Sequence, residues 1–447
     1  MTDLKALAAE SLDWIGKAGP GLEAELYLGR GEERGVELRD GELDGLSQST
    51  GEGAGLRLLA GKRMGFASAG GVDLATIQDL FRKVSAQLTH LEEDPAKAFA
   101  APQPGAADPA LSASLWDETL FTLPFEETVP RLKEMGALAL SVDKRLAGVL
   151  RAGYGESRGE TVVANTRGVL SHERGSSASV GLSVLSREDV QVGSAFQSAC
   201  RAGALDFSAV GRDAGRRTAA LLGSRKQPGG RRAVLFDPWV AGELLELVAS
   251  LLCADQVQRG KSLLAGKLGQ AVASSAVSFQ DDPRRPGGLA SALFDDEGSP
   301  TSAKTMIEGG VVREFFYDTY TANKDKRRTN GCAGRGSYKG LPSPGCSNFF
   351  MSPGKTSREA LIEGTQDGIL VMEIMGMHMA DAVSGEFSVG VSGLSISGGQ
   401  LGFPVKNAMI SGNLVELLSR VDAVGSDLTF YGAMGAPTFR VAEMTVA

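Results

Sequence analysis

Residues 4–88 and 127–222 read as one unit written twice, and no other feature of the chain limits its fold as much. Leu4, Leu7, Ala8, Leu12 and Ile15 recur at helical spacing. Strand-like runs follow at 24–28, 35–39, 55–59 and 64–68, with turns at Asp40-Gly41 and Ala60-Gly61, and a helix over 74–88 closes the unit. The same order returns as a helix over 127–141, strands at 150–157, 160–165, 177–186 and 190–199, and a helix over 210–222. Ala54-Gly55-Leu56-Arg57-Leu58-Leu59 lies over Val180-Gly181-Leu182-Ser183-Val184-Leu185, and Gly65-Phe66-Ala67-Ser68 over Gly193-Ser194-Ala195-Phe196. The expected class is α+β: a duplicated helix–four-strand–helix N-terminal lobe over residues 1–222, with copies at about 1–90 and 126–222.

Pro95, Pro102, Pro104, Pro109 and Pro124 mark residues 91–125 as the connector between the copies. A second linker, 223–232, leads to a C-terminal domain at 233–447, where one helix precedes many short strands divided by Gly and Pro. That is the pattern of a β-rich domain with long loops. The 447 residues exceed one ordinary core, and the 59 glycines suit a strand-rich chain with many tight turns.

A net charge of −8 argues against a binder of nucleic-acid backbones, which needs a basic face. The one basic run, Arg212, Arg216, Arg217, Arg225, Lys226, Arg231 and Arg232, brackets Gln227-Pro228-Gly229-Gly230 and reads as a solvated linker. Cys200, Cys253, Cys332 and Cys346 form no C-x-x-C pair, which suits a reducing compartment. The first residues lack a basic-then-apolar leader and no stretch reaches the ~18 apolar residues of a membrane span, so the cytoplasm is the expected location, with no membrane partner.

A paired-histidine zinc hydrolase needs converging ligands. The chain has three histidines, His90, His172 and His378, far apart in sequence. His172-Glu173 is followed by Arg174-Gly175-Ser176-Ser177 and no second histidine, so it reads as a strand-end residue. Asp237-Pro238 opens a helix as N-cap and first residue, and Val240, Leu244, Leu247, Val248, Leu251 and Leu252 give it an apolar face. His378, Asp381, Ser384 and Glu386 hold the residue types of a nucleophilic triad, but no G-x-S-x-G elbow accompanies them. A loop lining a cleft or interface is the expected reading.

Four motif groups, in order along nearly the whole chain, resemble the PmbA/TldE branch of the TldD/PmbA family, the so-called modulators of DNA gyrase. They are Gly55-Leu56-Arg57 with Gly65-Phe66-Ala67-Ser68; Arg259-Gly260-Lys261-Ser262 with Lys267-Leu268-Gly269; Ser384-Gly385-Glu386-Phe387-Ser388-Val389-Gly390-Val391-Ser392-Gly393; and Ser411-Gly412-Asn413-Leu414 with Gly425-Ser426-Asp427-Leu428. The resemblance implies a cytosolic metallopeptidase system that degrades or matures peptides. Its catalytic TldD-type members carry an H-E-x-x-x-H helix, which falls here on Leu245-Glu246-Leu247-Val248-Ala249-Ser250. Leu245 and Ser250 replace both histidines, and the late cysteine ligand is missing from Asp427 to Pro437. Only Glu246 remains, a weak catalytic candidate without metal. The metal set of this chain is therefore empty, and zinc is expected only in a TldD-type partner.

By resemblance, the loop holding Arg327, Arg328, Asn330 and Tyr338, with Asn348 after it, lies near a substrate channel, and Arg327 or Arg328 suits a peptide carboxylate. His378, Asp381 and Ser384 complete the candidate peptide-binding set. The expected partners are a TldD-type catalytic subunit, a peptide, and a second copy when that subunit is absent, since the apolar Phe349-Phe350-Met351 and open strand edges need covering. The competing readings are an autonomous peptidase whose metal site is unrecognised or supplied across an interface, and a non-proteolytic peptide-binding regulator linked to gyrase.

Overall fold

The computed structural model describes residues 2–447 except 106, 123, 188–190, 378, 379 and 382. The first half folds as α1 (Leu4–Ala18), β1 (Glu23–Arg39), β2 (Glu42–Ala60), β3 (Arg63–Gly70), α2 (Leu74–Leu88), α3 (Pro109–Ser114), α4 (Phe125–Leu140), β4 (Leu146–Asn165), β5 (Leu170–Ser186), β6 (Val192–Ala199) and α5 (Phe207–Ala220). The mixed α+β class and the duplication stand, with one correction. Each repeat is helix–three strands–helix, because the runs at 24–28 and 35–39 are one strand, as are those at 150–157 and 160–165. The glycines between them, Gly29, Gly31 and Gly159, sit in extended ladder rather than in turns.

All six strands form one antiparallel sheet in the order β3-β2-β1-β4-β5-β6. Its helical face holds two apolar clusters. Leu4, Ile15, Ile77 and Val84 pack on Leu26, Leu56 and Val162, and Leu132, Met135 and Val210 pack on Val36, Val180 and Leu182. Between the clusters β1 meets β4 through three ion pairs, Arg30–Glu160 at 2.6 Å, Glu32–Arg158 at 2.5 Å, and Arg34–Glu156. The register that lays Gly55 on Gly181 also lays Arg30 on Glu156, Glu32 on Arg158 and Arg34 on Glu160. The outer pairs are thus pseudo-twofold mates and the middle one lies on the axis.

The second half adds β7 (Gly230–Phe236), α6 (Pro238–Leu251), β8 (Phe279–Asp281), β9 (Lys304–Glu308), β10 (Val311–Val312), β11 (Ala333–Gly334), β12 (Ser343–Pro344), β13 (Phe349–Met351), β14 (Asp367–Met375), β15 (Glu386–Ser397), β16 (Gln400–Asn413), β17 (Val421–Val424), β18 (Thr429–Tyr431), β19 (Met434–Ala436) and β20 (Phe439–Val446). One sheet runs β16-β15-β14-β7-β20-β17 and closes where β16 also meets β20, Met409 and Ala447 exchanging backbone bonds at 2.8 and 2.9 Å. A second sheet runs β10-β9-β8-β13-β19-β18. Phe236, Phe279, Phe316, Phe349 and Phe439 fill the core they share with α6.

Two sequence readings change here. The basic stretch is not a solvated linker throughout: Gly230 to Phe236 is a barrel strand, and Arg217 is buried against Asp237 at 3.2 Å and the Met372 carbonyl at 2.7 Å. Phe349 and Met351 are fully buried in β13, so that stretch is covered by its own chain. The proline-marked connector is also packed, with Phe99, Leu111 and Leu115 buried.

Candidate functional site

Asp237 caps α6 by accepting from the Trp239 amide at 3.1 Å, and Pro238 supplies a preset first turn. The cap sets Trp239 at the joint between the lobes. There Trp239 meets Phe196 of β6 edge-on at 5.1 Å and Tyr431 of β18 at 4.9 Å, with the Arg217 guanidinium 4.9 Å from its ring. Phe196 and Trp239 wall one end of a trough of about 760 Å³ on the face of the N-terminal sheet that carries no helix.

The trough floor is rich in small residues, with the Glu37–Arg151 ion pair among its lining. Gly35, Gly153, Gly155 and Gly181 lie on it beside Ser47, Ser179, Ser183 and Ser194. It continues into a second hollow of about 420 Å³ bounded by Glu33, Ser157 and Ser177. Serine hydroxyls pair across strands, Ser157 with Ser177 at 2.9 Å and Ser183 with Ser194 at 2.8 Å. Such a floor lets another backbone approach closely and offers hydroxyls that donate or accept in any register. The sequence signal was an alternation of glycine and serine at every second position, as in Gly153, Gly155, Ser157 and Gly159. Reading glycine only as a turn former passed over it.

The two elements expected to bear metal ligands do meet. Along α6, Gly242 faces the Met434 side chain of β19, so the late-chain hairpin packs on the helix that the resemblance matches to the H-E-x-x-x-H motif. The residues present do not fit a paired-histidine zinc site. Leu245 is 1% exposed within the apolar core, and Ser250 is half-buried. Glu246 points to solvent, and its charge, after burial, raises the pKa of neighbouring Glu243. Burial pushes the Cys253 and Cys346 thiols up to about 12, away from thiolate ligation. His90 is exposed on the turn after α2, and His172 lies 3.6 Å from Glu160 in the N-terminal sheet.

The candidate peptide-binding residues are dispersed. Arg327 and Arg328 are exposed on a loop, Arg327 over the Tyr317 ring at 5.9 Å. Asn330 is occupied internally, accepting from the Tyr317 amide at 2.9 Å and donating to Glu314 and the Phe315 carbonyl at 2.9 Å each. Asn348, fully buried, donates to the Asp282 carbonyl and Ser291 at 2.8 Å each. Tyr338 lies across Gly53 and Gly55 of β2, where a Cβ at Gly55 would come 2.5 Å from its carbonyl oxygen. Asp381 and Ser384 form an exposed turn in which Asp381 accepts from the Val383 amide at 2.7 Å, a bond that holds its carboxyl below the ordinary value. His378 lies outside the described residues.

Tyr338 sits beside the tightest joint between the lobes. Arg57 donates to Glu25 at 2.6 and 2.8 Å and to Glu297 at 3.0 Å, and Arg335 also bonds Glu25. All four side chains are buried. Burial opposes ionisation of Glu25, yet the two guanidiniums outweigh it and hold its carboxyl below the usual value. Burial and then the Glu297 charge raise Asp295, and the same two causes take Asp318 to about 6. Sequence reading saw Arg57 only as part of a motif, because its partner Glu297 lies 240 residues away.

A duplicated sheet lobe is joined by buried ion pairs to a β-barrel body with one helix at the joint. Family models of the PmbA/TldA metallopeptidase match it in three parts, domain 1 at residues 24–88, the central domain at 118–222 and the C-terminal domain at 229–447. The chain belongs to the PmbA/TldD metallopeptidase family. It is 25% identical to the metalloprotease PmbA of Escherichia coli O157:H7 over 95% of this chain and 92% of that one. It is 26% identical to a metalloprotease TldD homolog of Haemophilus influenzae over 90% and 85%. Its fold matches TldE from Thermococcus kodakarensis with a TM-score of 0.87 at 21% identity, over 99% and 100% of the two chains. It also matches a modulator of a DNA gyrase from Thermotoga maritima with a TM-score of 0.90 at 24% identity, over the full length of both.

Proposed function

We propose that this chain is the TldE/PmbA-like subunit of a two-component metallopeptidase system, holding an unfolded peptide for a TldD-type partner that carries the zinc and cuts. The observation that carries this reading is Leu245. The helix and hairpin of a metal site are kept side by side, but an aliphatic side chain in the sealed core stands where the first histidine would be. The trough beside α6 supports the substrate role, since a floor of glycine and serine accepts an extended chain whatever its sequence.

The test is zinc and iron content together with hydrolysis of a casein-derived peptide mixture, for the chain alone and mixed with a TldD-type relative, each with and without chelator. The expected result is neither metal nor cleavage alone, and chelator-sensitive cleavage in the mixture above that of the relative by itself. Stoichiometric metal with chelator-sensitive cleavage by the isolated chain would make it an autonomous peptidase and end this reading.

A further inference from the structure

Trp239 lines the trough, and Tyr431, whose ring is 4.9 Å away, lines a second cavity of about 540 Å³. That volume is in the range of small-molecule sites, and the peptide-holding role has no use for it. Its walls come from both halves of the chain. Asp213, Arg216 and Arg217 stand on α5, Asp237 caps α6, Arg358 opens the short helix Arg358–Glu363, and Tyr431 ends β18.

The charges around this cavity are unevenly paired. Asp237 alone holds two guanidiniums, Arg217 at 3.2 Å and Arg358 at 2.8 Å. Asp427 is occupied by Thr438, accepting from its amide at 3.0 Å and its hydroxyl at 2.6 Å, and Glu359 is exposed at the rim. Asp213 is half-buried and, among the described residues, has neither a hydrogen bond nor an ion pair. Burial raises its pKa, although Arg217 and then Arg216 draw it down. Arg216 is exposed and likewise has no acid in bonding contact among the described residues. The Tyr431 hydroxyl also has no hydrogen-bond partner there, and burial takes its pKa to about 12. One carboxylate, one guanidinium and one phenol are therefore left for a ligand.

We propose that this cavity binds a free dipeptide, its ammonium on Asp213, its carboxylate on Arg216 and its amide within reach of the Tyr431 hydroxyl. Asp213 and Arg216 are three residues apart on α5, and side chains at that spacing start about 5–6 Å apart. They are not bonded to each other, so a ligand has to span the gap. Two residues at ~3.3 Å each separate a dipeptide's termini by roughly that length. A half-buried carboxylate gains from a charged donor, and a planar guanidinium suits a terminal carboxylate. Recognition rests on the two termini, so the site takes dipeptides of many sequences. Binding needs neither zinc nor a partner chain and is independent of the subunit reading.

Isothermal titration of the full chain tests it, with alanyl-alanine, its N-acetyl form, its C-terminal amide and free alanine as the probes. Alanyl-alanine should bind, and capping either end should weaken it roughly tenfold or more. Asp213→Asn should weaken alanyl-alanine to a similar degree and remove the preference for a free amine over the acetylated form. Arg216→Gln should remove the preference for a free carboxylate over the amide. Neither side chain is bonded within the free chain, so both variants should keep the circular dichroism of wild type. The capped ligands test the site on wild type alone if a variant does not fold. No heat with millimolar alanyl-alanine, caps without effect, free alanine bound as tightly, or folded Asp213→Asn and Arg216→Gln that bind like wild type would each overturn the proposal.

Discussion

Arg57 leaves the N-terminal sheet to bond Glu297 of the C-terminal half at 3.0 Å, while the same guanidinium holds Glu25 on the adjacent strand at 2.6 Å. Arg57→Met would leave two buried carboxylates with Arg335 as their near cation. Removing one partner of such a cluster costs about 3–5 kcal/mol, because the remaining charges stay desolvated. Urea unfolding should show that loss. Arg57→Lys should recover only part of it, since one ammonium cannot reproduce the fork that serves both acids. A change under about 1 kcal/mol for Arg57→Met would mean that the cluster does not join the lobes.

Tyr338 and β2 form a second joint that tolerates no Cβ. Gly53→Ala would drive a methyl into the Tyr338 ring, and Gly55→Ala would press on the Tyr338 backbone. A ring swings away more readily than a main chain. Both variants should destabilise, Gly55→Ala by about 2–3 kcal/mol and Gly53→Ala by about 1–2. Adding Tyr338→Ala should rescue Gly53→Ala and leave Gly55→Ala unrelieved, which a double-mutant cycle in denaturant will read directly.

Glu173 gives a pH dependence of definite sign. Burial raises its pKa to about 7, although its carboxylate accepts from the Leu293 and Phe294 amides at 3.0 Å each, with Arg284 and Asp296 acting on it from the other half. The folded pKa exceeds the unfolded one. The folded state therefore binds the extra proton, and stability present below about pH 4.5 is lost as pH rises through 7. Glu173→Gln keeps an acceptor for both amides and removes the charge. It should melt higher than wild type at pH 8, by on the order of 2 kcal/mol, with the gap closing toward pH 5. Parallel melting curves at the two pH values would refute the assignment.

Leu245→His tests whether a ligand can simply be restored on α6. The site is sealed in aliphatic core, so an imidazole there loses packing and buries a polar group, costing about 2–5 kcal/mol. The double variant Leu245→His, Ser250→His should be less stable than wild type, and zinc should not recover the loss. A zinc-dependent rise in melting temperature would show that the pocket for the metal survives.

The repeat, its helices and the β-rich second half were legible in the sequence because they rest on local periodicity. The apolar stripe of α1 and the Asp237-Pro238 cap of α6 form from neighbours a few residues apart. The expectation that Leu245 and Ser250 stand at the two histidine positions rests on residue identity and resemblance alone. The strand count failed for a local reason. Gly29 and Gly31 resemble turn residues until β2 and β4 supply a ladder on both sides.

The rest was decided by tertiary contact. Nothing near Arg57 in the chain announces Glu297, and nothing near Asn348 reveals that its amide is spent on Asp282 and Ser291. The trough exists because six strands from two repeats share one sheet whose helix-free face is rich in glycine and serine, closed at one end by Trp239 from the other half. The sequence alone determined which side chains are available and how each segment prefers to bend. Which charges are buried together and which asparagines are already satisfied depended on long-range packing, because desolvation and hydrogen-bond satisfaction are properties of the assembled neighbourhood.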